Sequence, residues 1–452
     1  MSKELRPLLR VLGTTVGVAV CVGSAVGAGV LRAPGEVASI LPDSTYLLAA
    51  WVLGAVVATL DSLILAEWAG THPRVGGLTA YLHRAYGPAV AFLSGWSILL
   101  ITWPGSIAAV AVATGEIVME GAGTLSANSA PTDAARFAAV GVVVAIGLLN
   151  LLGLKFGARA EVVLSFVKVA MLVGLFAAAA AAWNGIDASR APAVAAVPRS
   201  LETPGALLTA FGAAMVPILY TYDGYADAIY LAGETKEPHR AIPKAVLLSL
   251  GVITVLYLLT NGVLASTLGA ARMAQSKFAA LELVEGAFGP WGARALAAVA
   301  CVVMVGAIHS YFLTGPRIAR LLAEERLALP AFGQVNTKGT PVVATLWLMA
   351  IAGLLAFTNS FGSLLGYTIP IIWLTNLLIA AGLLVDRWRK PDAARPLRLP
   401  LAGLVVGGQL VIGALFFWTE VKNAHWSLVV DGAALVGGYG VYRAFAARGR
   451  TA

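Results

Sequence analysis

Gly23-Ser24-Ala25-Val26-Gly27-Ala28-Gly29 lies inside the first apolar run of this chain, shortly before Pro34; Tyr220-Thr221-Tyr222-Asp223-Gly224-Tyr225-Ala226-Asp227 lies inside the sixth, shortly after Pro217. Both runs are apolar enough to enter a bilayer, and both are badly composed as continuous helices. A Gly costs about 1 kcal/mol in a helix relative to Ala, and three fall within seven residues of the first run. A carboxylate beside a Gly in the sixth is costly against lipid, so it faces a cavity or the protein interior. Taken singly, the first stretch also reads as close helix packing through small residues, and the second as a kinked helix with Asp223 paired internally. Gly27-Ala28-Gly29 is no dinucleotide fingerprint, because no βαβ unit surrounds it.

The rest of the chain fits a lipid solvent. Of 452 residues, 59% are hydrophobic and 12% charged, against about 25% charged in soluble domains. The net charge of +8 sits in short loops between apolar runs, a signature of membrane topology and not of nucleic-acid binding. Cys21 and Cys301 lie inside apolar runs and read as small packing residues, with no external Cys for a disulfide to a partner. The first apolar run continues past Gly29, so no cleavable signal peptide is expected.

Runs of roughly 20 apolar residues predict an all-α polytopic membrane protein of twelve spans, at 11–40, 46–70, 88–119, 136–154, 160–183, 204–233, 243–269, 291–321, 341–358, 361–385, 401–419 and 428–446. With a cytoplasmic N-terminus, 22 of the 31 Lys and Arg residues fall in inside segments and 7 in outside ones. That bias places both termini in the cytoplasm. The longest loops, near 184–203 and 270–290, would be external. The whole chain is expected to be one transmembrane domain. Interrupted helices at the first and sixth positions predict two inverted five-helix repeats, about 11–183 and 204–385, with additional helices at about 401–446.

Such breaks expose backbone N–H groups at half-helix N-termini, which attract an anion. The carbonyls freed at the opposing ends accept hydrogen bonds from a cation. One zwitterion satisfies both sets of orphan groups, which points to an amino acid.

At these residues the sequence resembles the amino acid–polyamine–organocation superfamily, and within it bacterial relatives of the L-type amino acid transporters. The similarity covers nearly the whole chain. Its first-helix motif appears as Gly27-Ala28-Gly29-Val30-Leu31-Arg32-Ala33-Pro34. The end of the second helix appears as Glu67 and then Pro73-Arg74-Val75-Gly76-Gly77-Leu78-Thr79-Ala80-Tyr81-Leu82. The sixth-helix motif appears as Tyr222-Asp223-Gly224-Tyr225 and Gly233-Glu234-Thr235-Lys236-Glu237-Pro238-His239-Arg240-Ala241-Ile242-Pro243-Lys244-Ala245, and the eighth-helix end as Leu313-Thr314-Gly315-Pro316-Arg317. The resemblance implies the leucine-transporter-like fold. It also implies that the N–H groups around Gly27, Ala28 and Gly29 hold a substrate carboxylate, that the carbonyls of Ala25, Tyr220 and Asp223 hold its α-amino group, and that Tyr220 is an aromatic gate. The chain departs from many relatives at Ala28, where they carry Ser, so only the backbone is left there for the carboxylate.

Lys168 lies near the middle of span five, roughly 12 Å inside at 1.5 Å per residue. A central Lys costs about 2.5–3.5 kcal/mol to insert, and the depth favours function over snorkelling. The resemblance implies that its ammonium approaches the unwound first helix where sodium-coupled cousins bind sodium, either as a fixed charge or as a proton carrier. His309 is a structural histidine or a pocket residue. Trp103 is packing or pocket lining, and Ala226 lies beside the sixth-helix break. Arg32 lines an outer vestibule or pairs with Asp223 or Asp227. Glu67 anchors loop contacts near the cytoplasmic end of span two, and Asp61 lies deeper on the same span.

The expected function is sodium-independent secondary transport of neutral L-amino acids by alternating access, as an exchanger or proton symporter, in the plasma membrane. The alternative is a cationic amino acid or polyamine carrier, for which Asp223 and Asp227 supply carboxylates; a channel or nutrient sensor shares the fold class. A membrane enzyme finds no support, since the sequence has no metal-spaced His/Cys cluster, nucleophile elbow or P-loop. No cofactor, metal or accessory subunit is assigned.

Overall fold

A computed structural model of the chain describes residues 10, 12–73, 77–121, 132–182, 203–324, 328–422 and 426–449. Residues 74–76 of the second-helix motif lie outside the described residues, as does nearly all of the loop expected near 184–203.

The described residues are almost entirely helical. The first apolar run forms α1 (Thr14–Ala25) and α2 (Ala28–Ile40), and the second forms α3 (Ser44–Thr71), whose N-terminus is capped by the Asp43 carboxylate accepting from Thr45 and Tyr46 N–H. A short α4 (Leu78–Tyr86) leads into α5 (Pro88–Ser97), a π-turn at Ile98–Thr102 and α6 (Trp103–Gly121). Pro104, the second residue of α6, has no N–H to donate back into the helix, and the widened π-turn before it absorbs that loss. Next come α7 (Asp133–Asn150), α8 (Leu154–Ala182) and α9 (Pro204–Tyr222), the last followed by a 3-10 helix at Asp227–Glu234. The second half continues with α10 (Pro238–Thr267), α11 (Ala270–Met273), α12 (Ala279–Thr314), α13 (Pro316–Glu324) and α14 (Pro330–Gly333). It closes with α15 (Val342–Thr358), α16 (Phe361–Arg389), α17 (Ala402–Lys422) and α18 (Ser427–Gly449).

Ten helical segments among the described residues are long and apolar enough to cross a bilayer, which makes this a polytopic membrane protein. The twelve predicted by sequence differ from these ten at two places. Helix α15 has 17 residues, short of a full span, and α18 is long but not among the ten. The region 270–290, expected to be a loop, is largely helical: it contains α11 and the start of α12, which kinks at Gly289, where φ is +70°. The span expected from 291 therefore begins just after this kink, and a separate helical stretch from Ala279 precedes it.

Burial orders the helices around a centre. The α1–α2 and α5–α6 segments are 78% and 89% buried over their most apolar windows, against 28% for α7 and 33% for α17, so the last two face outward. Helix α1 packs on α8, α10 and α12, and α2 packs on α9.

One face of the bundle carries a network of basic residues. Glu67, at the end of α3, accepts from Arg387, from Arg395 at 3.3 Å and from Leu399 N–H at 2.8 Å. Asp386 accepts from Arg84 at 2.7 Å and Arg395 at 2.9 Å. His72 lies beside this cluster; burial and the Arg84 charge push its pKa from 6.5 down to about 4, against the pull of Asp386. An unfolded chain binds the proton below about 6.5 while the folded one does not until about 4, so stability falls as pH drops through that window. Thermal unfolding of the detergent-solubilised protein between pH 7 and 4.5 checks this. His72→Gln is expected to flatten the acid slope, and an unchanged slope would remove His72 as its source.

Candidate functional site

The first helix breaks at Val26 and Gly27. Val26 takes φ −78° and ψ 89°, and Gly27 takes φ −144° and ψ −136°, before α2 restarts at Ala28. No side chain caps α2, so its first backbone N–H groups are orphan donors within the bundle. The second break follows Tyr222, with Asp223 extended (ψ 148°) and Gly224 at φ +106°, before the 3-10 helix, which also begins without a side-chain cap. The two breaks touch. A Cβ at Gly224 would lie 2.7 Å from Ala25 N and from the Ser24 side chain, and one at Gly29 would lie 2.8 Å from Thr221 Cα. Glycine is required at 224 on both counts, its positive φ and this close approach.

A cavity of about 40 Å³ lies against the second break, lined by Trp103, Ser106, Asp223, Tyr225, Ala226, Asp227, Tyr230 and Tyr311 among others. Trp103 meets Tyr230 and Tyr311 edge-on, at ring distances of 5.5 and 5.2 Å. Of the residues singled out from sequence, Trp103, Asp223 and Ala226 line this cavity. Ala25, Gly27, Ala28 and Gly29 form the adjoining break. Tyr220 reaches the same region, its hydroxyl 3.5 Å from the Ser106 carbonyl and its ring edge-on to Phe361 at 5.8 Å. The Ala25 carbonyl already accepts from the Tyr257 hydroxyl at 2.6 Å, and the Tyr220 carbonyl from Asp223 N–H at 3.2 Å. Each carbonyl keeps a second lone pair.

Lys168 is fully buried. Its ammonium donates to the Gly23 carbonyl, in the last turn of α1, and lies 3.6 Å from Glu161. Ser165, between the two on α8, donates to the Ala19 carbonyl at 2.7 Å. Glu161 is a partner that sequence reading missed, although a separation of seven residues, two helical turns, puts it on the face of Lys168.

Two other residues are placed differently from expectation. Arg32 pairs with neither Asp223 nor Asp227. It contacts Glu36 at 2.9 Å and Glu116 at 3.4 Å, over the rings of Phe361 and Phe278, with Lys277 also 3.5 Å from Glu116. Glu36 is one turn along on α2, and Glu116 comes from α6, so both are closer to Arg32 than a carboxylate at the second break. His309 does not line the cavity; its Nδ1 is 3.0 Å from Asn150 Nδ2. Among the described residues no group of three or more His, Cys, Asp or Glu is placed to hold a metal ion.

Two helices interrupted side by side within a bundle of spans, with a small cavity against the second break, are the arrangement of a membrane transport protein. The chain belongs to the amino acid permease family, whose sequence model matches residues 12–437; it is a transporter of the amino acid–polyamine–organocation superfamily and carries amino acids. It is 25% identical to the serine/threonine exchanger SteT of Bacillus subtilis, over 98% of this chain and 99% of that protein. It is also 25% identical to the b(0,+)-type amino acid transporter 1 of Mus musculus, over 88% of this chain and 81% of that one, and to the cystine/glutamate transporter of Homo sapiens, over 92% and 79%.

Proposed function

We propose that this protein is a sodium-independent carrier of small neutral L-amino acids, working by exchange or proton symport through alternating access. The observation that carries the reading is that two uncapped breaks touch each other, with a small cavity lined by residues of the second. The N–H groups of Gly27, Ala28 and Gly29 bind the carboxylate, and the carbonyls of Ala25, Tyr220 and Asp223 take the ammonium. The cavity has room for roughly three water-sized groups, which suits a short side chain. Tyr220 closes over the substrate, and Lys168 supplies at the first helix the positive charge that a sodium ion would bring. Helices α15 and α18 complete twelve spans, organised as repeats over about 11–183 and 204–385 with extra helices at 401–446. Both termini face the cytoplasm, across the plasma membrane.

A cationic amino acid or polyamine is the second reading, because both Asp223 and Asp227 line the cavity without a Lys or Arg among its lining residues. Exchange in proteoliposomes decides between them. Unlabelled serine, threonine and alanine are expected to displace a labelled small neutral substrate at least tenfold better than arginine or putrescine, with no change when choline replaces sodium. Dominance by arginine would select the second reading, and a sodium requirement would remove the proposed role of Lys168.

A further inference from the structure

Behind the main cavity, across a wall formed by Asp223, Tyr225, Ile372 and Asn376, lies a second cavity of about 20 Å³ between α3, α9, α16 and α17. That is room for about one water molecule. Two of its polar linings, Asp61 and Gln409, are 2% and 1% exposed. One Asp61 oxygen, Oδ2, accepts from the Tyr225 hydroxyl and from Asn376 Nδ2 at 3.0 Å. The other, Oδ1, has no hydrogen-bond partner among the described residues, and neither has Gln409 Oε1. Both orphans are acceptors, and a second acceptor cannot satisfy the first.

Five other buried acids of this bundle are neutralised, while Asp227 and Asp431 are buried without an ion pair among the described residues. Glu67 and Asp386 hold arginines, Glu116 holds Arg32 and Lys277, Glu161 holds Lys168, and Glu234 holds Arg317. Asp61 is held by neutral donors only. The elements packed on α3 bring it no cation. Helix α9 and its break bring Tyr222, Asp223 and Tyr225, with Asp227 following; α16 brings Asn376 and α17 Gln409. Tyr257 on α10 is turned to Trp51 and Tyr222. On α2, Arg32 is engaged by Glu36 and Glu116. At the end of α3 itself, Glu67 is taken up by Arg387 and Arg395.

We propose that Asp61 is the proton-binding site of this transporter, carrying its proton on Oδ1 and donating it toward Gln409 directly or across one water. A single proton then supplies the donor that both orphans lack and removes an uncompensated charge from the membrane interior. Tyr225 is the link to transport. It donates to Asp61 while sitting on the second helix break and lining the main cavity, so the charge on Asp61 bears directly on the break that alternating access must move. The proton is taken from water on one side and released on the other as the bundle changes conformation. This inference rests on the proposed amino acid transport and selects symport as its mode.

The test uses the full-length protein in proteoliposomes, with two readouts for each variant: exchange of labelled for unlabelled amino acid at equal pH, and accumulation driven by an inwardly directed proton gradient. The parent is expected to do both. Asp61→Asn, which mimics the protonated carboxyl, is expected to keep exchange within about threefold and to lose at least tenfold of the gradient-driven accumulation. Accumulation retained in Asp61→Asn overturns the proposal, and so does a parent that exchanges but takes up no proton with its substrate. Should Asp61→Asn fail to fold, Tyr225→Phe arbitrates. Losing a donor to the ionised carboxylate raises its proton affinity, so the pH midpoint of accumulation moves upward by about one unit, whereas a merely structural hydroxyl leaves the midpoint in place and overturns the proposal. A parent with no exchange of any amino acid defeats the transport reading itself, a result distinct from each of these.

Discussion

Lys168→Ala is expected to abolish amino acid exchange, lowering the initial rate in proteoliposomes by at least about a hundredfold, a factor equivalent to about 2.7 kcal/mol. The ammonium joins the last turn of α1, through the Gly23 carbonyl, to Glu161 on α8. Removing it leaves a fully buried carboxylate without its cation, a defect that costs about 3–5 kcal/mol in comparable buried pairs. It also frees the Gly23 carbonyl three residues before the break, so the end of α1 loses the tie that fixes its orientation toward the substrate. Pairing Lys168→Met with Glu161→Gln separates the two consequences. With both charges gone, thermal stability is expected to recover toward that of the parent while exchange stays lost. Turnover of Lys168→Ala within threefold of the parent, normalised to monodisperse protein, would show that the ammonium is not needed at the break.

Gly224→Ala is expected to be nearly as damaging, for a reason that involves no charge. Its φ of +106° lies where an L-residue is strained by about 1–2 kcal/mol, and the added Cβ would meet Ala25 N and the Ser24 side chain at 2.7 Å. One obstacle is a backbone nitrogen and the other a Cβ, neither of which can rotate away, so the two breaks must separate; overpacking of this kind adds about 1–3 kcal/mol. We expect a loss of exchange of at least tenfold with a lower melting temperature. Gly262→Ala on α10, where an added Cβ meets nothing within 4 Å, serves as the control and should behave as the parent. Full exchange in Gly224→Ala would mean that the breaks can part without consequence for binding.

Much of the architecture was legible locally. The apolar runs, the Gly clusters and Pro217 mark where helices insert and where they fail, and the breaks at Val26–Gly27 and Asp223–Gly224 fall where those residues predict. The span count was less legible at its margins. Helix α12 begins at Ala279, upstream of the expected span, because amphipathic residues before Gly289 do not register as an apolar run although they fold as helix. The candidate site was legible in its backbone and not in its side-chain partners. Asp61 stood out as a carboxylate without an explanation; its attachment to Tyr225 and Asn376 joins positions separated by 164 and 315 residues.

By itself, the sequence determined that this protein lives in lipid, which two helices are interrupted, and that Lys168 is too deep to be incidental. Each of these follows from composition or spacing within a single segment, where hydropathy and helix propensity act. Tertiary structure alone decided what each polar group answers to: Lys168 to Gly23 and Glu161, Arg32 to Glu36 and Glu116 and not to the acids of the second break, and the Ala25 carbonyl to Tyr257 across 232 residues. Inside a bundle excluded from water, a buried polar group must find a partner wherever the packing brings one, and no local pattern in the chain records which helix that will be.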